Sequence, residues 1–350
     1  MMTSLLAARA RQEGTPLLED RRAMFLWLGT KAPELMGDFS GWESGPRIKL
    51  KALEPDVWGY TLDLPGDAYI EYSFIEGNQR LPDPFNKRHT PNGVGNTNNF
   101  FYMPAGTKTP LARCNPAISH GMVTRHMLIP QPLHDDAPAR PVHLYQPPVK
   151  TRVPLLVIWD GWDYFHRAAL PTIIDNLIAQ QRIRSVALAM VQNGGRARSI
   201  EYNCSEATLA FLHEQVLPLA RQELNLIDIA RHPGTYGVMG ASMGGLMAMY
   251  TAVRLPHIFG HVLSQSGAFF QEDEPESLLK TLLRLNNPLP LKIWMDAGQF
   301  DFLLKENRSF HAFLNKRHYA HGYHEYAGGH NYPAWRDDAW RGLEYLFGPE

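Results

Sequence analysis

The segment Gly240-Ala241-Ser242-Met243-Gly244-Gly245 sets a serine between two glycines, with Gly237-Val238-Met239 before it and Leu246-Met247-Ala248-Met249-Tyr250 after it. A G-x-S-x-G motif between a strand-like and a helix-like run is the pattern of a nucleophilic serine on a sharp turn. The turn strains the backbone, and side chains at 240 and 244 would collide with the adjoining strand and helix, so glycine is needed there. The gain is an exposed hydroxyl at a helix N-terminus, where backbone N–H groups can stabilise an oxyanion. The amide of Met243, next after the serine, is the first such donor. The turn that follows the apolar run Leu155 to Trp159 reads Asp160-Gly161-Trp162-Asp163-Tyr164, and Gly161 would let the chain aim the Trp162 amide as the second. Asp160 reads as a brace for that turn rather than a catalyst.

A serine alcohol attacks only when a base removes its proton, and that base is a histidine oriented by a third group. Of the 15 histidines, His330 stands apart. It lies in Gly328-Gly329-His330-Asn331-Tyr332-Pro333, after the last strand-like run and before the final helix-like one. The order serine, acid, histidine along the chain puts the base there. His321 and His324 fall in or before the strand and read as structural. For the acid, Trp294-Met295-Asp296-Ala297-Gly298-Gln299-Phe300-Asp301 offers two aspartates that read as lying past a strand end. Asp301, beyond Gly298, is preferred because its loop can reach a histidine; Asp296 is the alternative, and a Ser-His dyad without a close carboxylate is the remaining one.

Residues of these types must be held by a particular frame. From about Ala23 to Met103, short alternating runs such as Met24 to Leu28, Val57 to Leu62 and Ala68 to Phe74 are separated by turn residues. They predict a small antiparallel β-sandwich. The polar, Gly/Asn-rich stretch Lys87 to Asn99 reads as a loop, long enough to cover a neighbouring cleft, and Pro104 to about Ser119 as a linker. Beyond it, strand runs that are apolar throughout alternate with helical stretches: Leu155 to Trp159, Leu170 to Ala179, Val186 to Val191, Glu206 to Leu224, Tyr236 to Met239, Gly245 to Val253, Val262 to Ser264 and Leu291 to Met295. An antiparallel pair, Val123 to Ile129 with Pro141 to Tyr145, leads in; a strand near Tyr323 to Tyr326 and a helix Trp335 to Phe347 close the series. That alternation predicts a mostly parallel sheet with helices on both faces. The expected division is 1–110 for the sandwich and 111–350 for the catalytic domain.

With these residues in place, the chain resembles the enterochelin esterase-like proteins of the esterase D group of α/β-hydrolases. The resemblance runs over nearly the whole chain and is carried by Asp160-Gly161, Arg198-Ser199-Ile200-Glu201-Tyr202-Asn203-Cys204, Gly240 to Gly245, Val262 to Gly267, and Gly328-Gly329-His330 with Trp335-Arg336. It implies an α/β-hydrolase fold, catalytic roles for the matching Ser242 and His330, and an oxyanion donor at the Asp160-Gly161 turn, in support of Trp162. Arg198 and Glu201 are expected to form a structural ion pair. The first part resembles the immunoglobulin-like (E-set) sandwiches that precede such esterases and the glycogen-binding-like family 48 modules, through Gly37 to Trp42 and Asp83-Pro84-Phe85-Asn86. Trp42 or Trp58 could then stack on a sugar ring.

The composition excludes other classes. With 34 basic against 35 acidic residues the chain offers no electrostatic attraction for nucleic acid or anionic membrane. Cys114 and Cys204 are too few for a disulfide framework or a zinc site, so neither a metal nor another cofactor is expected. The N-terminal residues lack the apolar stretch of a signal peptide and no run is long enough to cross a membrane, which predicts a cytoplasmic protein. The oligomeric state is not legible.

The expected activity is therefore carboxylic ester hydrolysis through an acyl-enzyme, with a small-molecule ester as partner. Only about 25 residues separate Ser266 from Leu291, too few for a large lid. An open site suits a bulky or polar substrate. Trp162, Tyr164, Phe269, Phe270 and Trp335 are expected at its mouth, with Tyr164, Phe269 and Trp335 as the chosen substrate contacts. No arginine or lysine cluster for an iron-catecholate is evident. The alternatives are a feruloyl or acetyl-xylan type esterase with a polysaccharide-binding sandwich, and a non-catalytic carbohydrate-binding protein.

Overall fold

The computed structural model describes residues 4–349 except 94, 131, 132, 134–137, 273–276, 286 and 287. The first three residues and Val94, of segments read above, lie outside the described residues. The chain forms two compact units: Met1–Lys108 with Gly298–Phe302 and Tyr326–Ala334, and Thr109–Ala297 with Leu303–Glu325 and Trp335–Glu350. The segments that carry Asp301 and His330 thus cluster with the N-terminal unit, a grouping that a single cut near residue 110 does not contain.

The first unit opens with a helix, Leu5–Glu13, which the sequence reading did not anticipate. Its N-terminus is satisfied by Ser4, whose hydroxyl accepts the Ala7 N–H at 3.0 Å. Among the described residues two sheets follow. In the four-stranded one, Leu17–Glu19, Arg22–Leu28, Val57–Asp63 and Lys51–Glu54 lie side by side. In the six-stranded one the order is Ile48–Lys49, Glu34–Gly37, Tyr69–Glu76, Thr97–Tyr102 and His89–Pro91, with Gln79–Leu81 also paired to Tyr69–Glu76. Alternation places Ala23 and Phe25 of the first sheet against Ile70, Tyr72, Phe74 and Phe101 of the second in one core. Phe25 meets Tyr72 edge-on at 4.9 Å and Phe101 at 5.8 Å, the quadrupole-favoured arrangement.

The stretch Lys87 to Asn99 is not a loop throughout. His89–Pro91 pairs with Thr97–Tyr102, Thr90 facing Asn98. Asn side chains, read as turn formers, serve here as internal ties: Asn99 donates to the carbonyls of Asn86 and Arg88. The Asp83 to Asn86 motif is likewise internal, the Asp83 carboxylate accepting from Thr15 and Tyr72 hydroxyls.

In the second unit the eight strands of the described sheet run in the order Met122–Leu128, Arg140–Gln146, Ala187–Val191, Leu155–Trp159, Tyr236–Ala241, Phe259–Gln265, Lys292–Gly298, His321–Tyr326. The ladders joining Ala187–Val191, Leu155–Trp159, Tyr236–Ala241, Phe259–Gln265 and Lys292–Gly298 are parallel; Arg140–Gln146 is antiparallel to both its neighbours. Leu155–Trp159 and Ala187–Val191 are buried at every position, as strands covered on both faces must be.

Two boundaries differ from expectation. The stretch from Glu206 is broken into Glu206–Phe211, a π-helical turn Leu212–Val216, and Leu217–Glu223. Pro218 has no N–H and its ring would strike the carbonyl four residues back; the wider turn absorbs both. The strand expected to end at Met295 runs on to Gly298, so Asp296 lies within it and faces Gln265 in register. Among the described residues no helix is long and apolar enough to cross a membrane, and no group of three or more His, Cys, Asp or Glu is placed to hold a metal. Cys114 and Cys204 form no disulfide.

Candidate active site

Ser242 separates Tyr236–Ala241 from the helix Met243–Arg254 at φ 58° and ψ −124°, a left-handed backbone rarely held by a residue with a Cβ. Such strain costs about 1–3 kcal/mol and persists only when neighbours over-determine it. They do: the Ser242 N–H donates to the Gln265 carbonyl at 2.9 Å, and the Ser242 carbonyl accepts from Gly245, Leu246 and Ala268. The glycines are sterically required. A Cβ on Gly240 would stand 2.3 Å from the Gly244 carbonyl oxygen, and one on Gly244 would stand 2.9 Å from the Asp160 carboxylate.

That carboxylate belongs to the turn before helix Gly161–His166. Asp160 is fully buried at φ 58°, ψ 41°, and accepts from Asn193 Nδ2 (2.5 Å) and from Arg198 Nε and a terminal nitrogen (2.7 and 2.5 Å). Its own N–H donates to the Tyr202 hydroxyl at 3.1 Å. A Cβ on Gly161 would lie 2.1 Å from the Met190 carbonyl carbon, so only glycine lets the turn sit this close to Ala187–Val191. The amides of Met243 and Trp162 make no hydrogen bond among the described residues, as expected in the first turn of a helix.

Asp301 and His330 lie in the first unit. His330 Nδ1 is 3.0 and 2.9 Å from the two carboxylate oxygens of Asp301, whose side chain is fully buried. Their two loops are laced together: Gln299 N–H donates to the Tyr326 carbonyl at 2.8 Å and Phe300 N–H to that of Gly328 at 3.0 Å. The ring of Phe302, itself 59% exposed, lies 4.5 Å from the imidazole. Asp296, the alternative acid, accepts instead from Trp294 Nε1 at 3.1 Å and Gln265 Nε2 at 3.3 Å.

Several expected roles fail on burial. Tyr164 is fully buried and donates to Gln265 Oε1 at 2.9 Å. Trp335 is 3% exposed and donates through Nε1 to the Ser266 hydroxyl at 3.0 Å. Phe269 is buried and stacked on Phe310 at 4.1 Å. All three lie in helices with their rings in the core, a placement that leaves them little surface to offer a substrate. Among the described residues, Trp162, Ile200, Phe270 and Phe302 are exposed large apolar side chains in the segments that follow parallel strands, at 45, 76, 43 and 59%. Arg198 and Glu201 do not pair with each other: Arg198 holds Asp160, and Glu201 makes a buried two-pronged bond with Arg140 at 2.8 and 2.9 Å. Arg140 went unnoticed because nothing local marks it. Trp42 and Trp58 are engaged internally, their indole N–H groups bound to Asp38 Oδ1 and the Gly29 carbonyl. His321 meets His311 at 2.8 Å and His324 meets Asp338 at 3.4 Å, both structural.

Residues 138–345 match the esterase family model described as "Putative esterase", which covers more than half of the chain. The chain belongs to this esterase family. It is 28% identical over 210 residues to the iron(III) enterobactin esterase of Dickeya dadantii, an alignment covering 55% of this chain and 47% of that one. The match thus spans about half the length of that curated relative. Among solved structures, the ferric enterobactin esterase of Salmonella typhimurium superposes with a TM-score of 0.78 over 93% of each chain at 21% identity, a likeness of fold, the α/β-hydrolase type. A ferulic acid esterase aligns with 65% of this family member and 98% of its own chain at 18% identity, with a TM-score of 0.54.

Proposed function

We propose that this esterase-family chain hydrolyses carboxylic esters through an acyl-enzyme, with Ser242 as nucleophile, His330 as base and Asp301 orienting the base. The observation that carries this reading is the strained Ser242, locked between a buried strand and a helix at φ 58°. A serine has no structural reason to occupy that backbone when glycine would do so without strain. The Met243 and Trp162 amides are the proposed oxyanion donors. Asp301, at 2.9 Å from Nδ1, would fix the imidazole's tautomer and stabilise the imidazolium that forms.

For the substrate, relatives named as iron(III) enterobactin esterases support a small-molecule ester. The exposed Trp162, Ile200 and Phe270 supply apolar contact rather than charge. The two N-terminal sheets are read as an immunoglobulin-like sandwich, residues 1–110, serving the catalytic domain 111–350. The engaged indoles of Trp42 and Trp58 weigh against a sugar-binding role for it.

The test is turnover of p-nitrophenyl acetate by wild type, Ser242→Ala and His330→Ala, each checked for folding. Both variants are expected to lose at least about 10³-fold in kcat/KM. Either one retaining more than a tenth of wild-type activity would overturn the assignment.

A further inference from the structure

We infer that Asp38, on a one-turn 3₁₀ helix of the first unit, is a positioning residue for His330. The inference rests on the reading of His330 as base. Asp38 is 3% exposed. Its Oδ2 accepts the Glu71 N–H at 2.8 Å and approaches Asn331 Nδ2 at 3.4 Å; its Oδ1 accepts Trp42 Nε1 at 2.9 Å. A Cβ added to Gly329 would stand 2.2 Å from the Asp38 Cγ and Oδ1. The carboxylate is therefore in contact with the residue before His330 and bonded to the residue after it.

That contact is not a soft one. An ordinary aspartate could swing away from an intruding methyl, but this one is fixed by two donors and buried, and its removal would leave the Trp42 and Glu71 N–H groups without their acceptor. Asn331 carries the restraint onward, its Oδ1 accepting the Ala334 N–H at 3.0 Å at the start of helix Tyr332–Phe347. On the other side the Tyr69 N–H, at the head of Tyr69–Glu76, donates to the Ala327 carbonyl at 3.0 Å. His330 is thus the fourth of the five residues 327–331, of which Ala327 and Asn331 are hydrogen-bonded to the N-terminal sheets or their turns and Gly329 lies against Asp38. A general base displaced by about 1 Å loses on the order of 10²-fold in rate.

Burial, followed by the charge of Glu71, pushes the Asp38 carboxyl well above its ordinary pKa. A buried acid beside a second one at 2% exposure, Glu71, is costly for folding alone. Its contacts with the residues on either side of His330 give that cost a positional role.

The test is a double-mutant cycle on the full chain with p-nitrophenyl acetate, using Asp38→Ala, Gly329→Ala and the pair, with Asp38→Asn, Asn331→Ala and His330→Ala alongside. Gly329→Ala is expected to lower kcat about 10²-fold with KM within about threefold, because the new methyl drives the loop off the fixed carboxylate. Asp38→Ala is expected to lower kcat about tenfold, and Asp38→Asn, which keeps the shape, to recover most of it. In the double variant the methyl occupies the space the carboxylate left, so the combined loss should be smaller than that of Gly329→Ala alone. If His330→Ala retains activity, the base assignment fails and this inference with it. If His330→Ala is inactive while the losses from Asp38→Ala and Gly329→Ala simply multiply, or Asp38→Ala keeps wild-type kcat, the positioning role alone is overturned. Should Asp38→Ala not fold, Asn331→Ala decides: unchanged kcat counts against the role, and a several-fold fall in kcat at constant KM supports it.

Discussion

The two aspartates of the segment from Trp294 to Asp301 differ in what surrounds them. Asp301 offers both oxygens to His330 Nδ1, whereas Asp296 is enclosed by Trp294 and Gln265 inside a strand. Asp301→Asn is therefore expected to lower kcat by about 10²- to 10⁴-fold, since an amide permits the wrong tautomer of the histidine. Asp296→Asn should act mainly on stability, and its kcat should stay within about tenfold. Steady-state kinetics with p-nitrophenyl acetate and thermal melts of the two variants separate these outcomes; a larger kcat loss from Asp296→Asn would transfer the role. The Ser242 turn is legible because its motif is local, Gly240 to Gly244, even though Asp160 and Gln265, far along the chain, help to fix it. The rings of Tyr164, Phe269 and Trp335 were misplaced for the converse reason. A residue type says that a ring is apolar, but which side of a loop it takes depends on partners far along the chain, Gln265, Phe310 and Ser266 here.

At the scale of elements, the strands of the sheet were legible because apolar runs bounded by turns are unambiguous when both faces are buried. Their ends were not. Lys292–Gly298 extends through Asp-Ala-Gly, residues of low strand propensity; Asp296 is paired with Gln265, and its carbonyl accepts the Ser266 N–H at 2.7 Å, contacts made by the backbone whatever the side chain. The same neighbour strand holds His261, stacked on Phe347 at 5.3 Å. Burial, helped by the nearby Arg184, pushes its pKa down to about 4. In the unfolded chain the same imidazole binds a proton near pH 6.5. As pH falls from about 6.5 to about 4 the unfolded state takes up a proton that the native state refuses, so stability is lost through that window and regained as pH rises. The loss is up to ~3 kcal/mol. His261→Gln, which cannot titrate, is expected to unfold at nearly the same temperature at pH 5 and pH 7, apart from the carboxylate contributions shared with wild type. Wild type should show the larger drop, and equal drops in the two proteins would exclude His261 as the source.

At the scale of the whole chain, what the sequence could not display is the sharing of the base loop with the N-terminal sheets. Asp38 and Asn331 are 293 positions apart, and no local pattern connects them. The open cleft and the polar stretch Lys87 to Asn99 suggested that the sandwich serves as a cover, so that bulky esters would depend on it more than small ones. The structure argues for a different dependence. Phe300 and Ala327, from the two loops that carry Asp301 and His330, pack against the core built on Phe25, Tyr72 and Phe101. Loosening that core should disturb His330, the proposed base, and a disturbed base slows every ester alike. Phe25→Ala, at a fully buried position, is expected to cost about 3–5 kcal/mol. On heating this variant, turnover of p-nitrophenyl acetate and of a bulky aryl ester should fall together, at the temperature where hydrogen exchange shows Tyr69–Glu76 losing protection, and earlier than protection is lost in Leu155–Trp159. Small-ester turnover that outlasts the protection of Tyr69–Glu76, while bulky-ester turnover disappears with it, would restore the covering role and count against the sandwich as the support of the base.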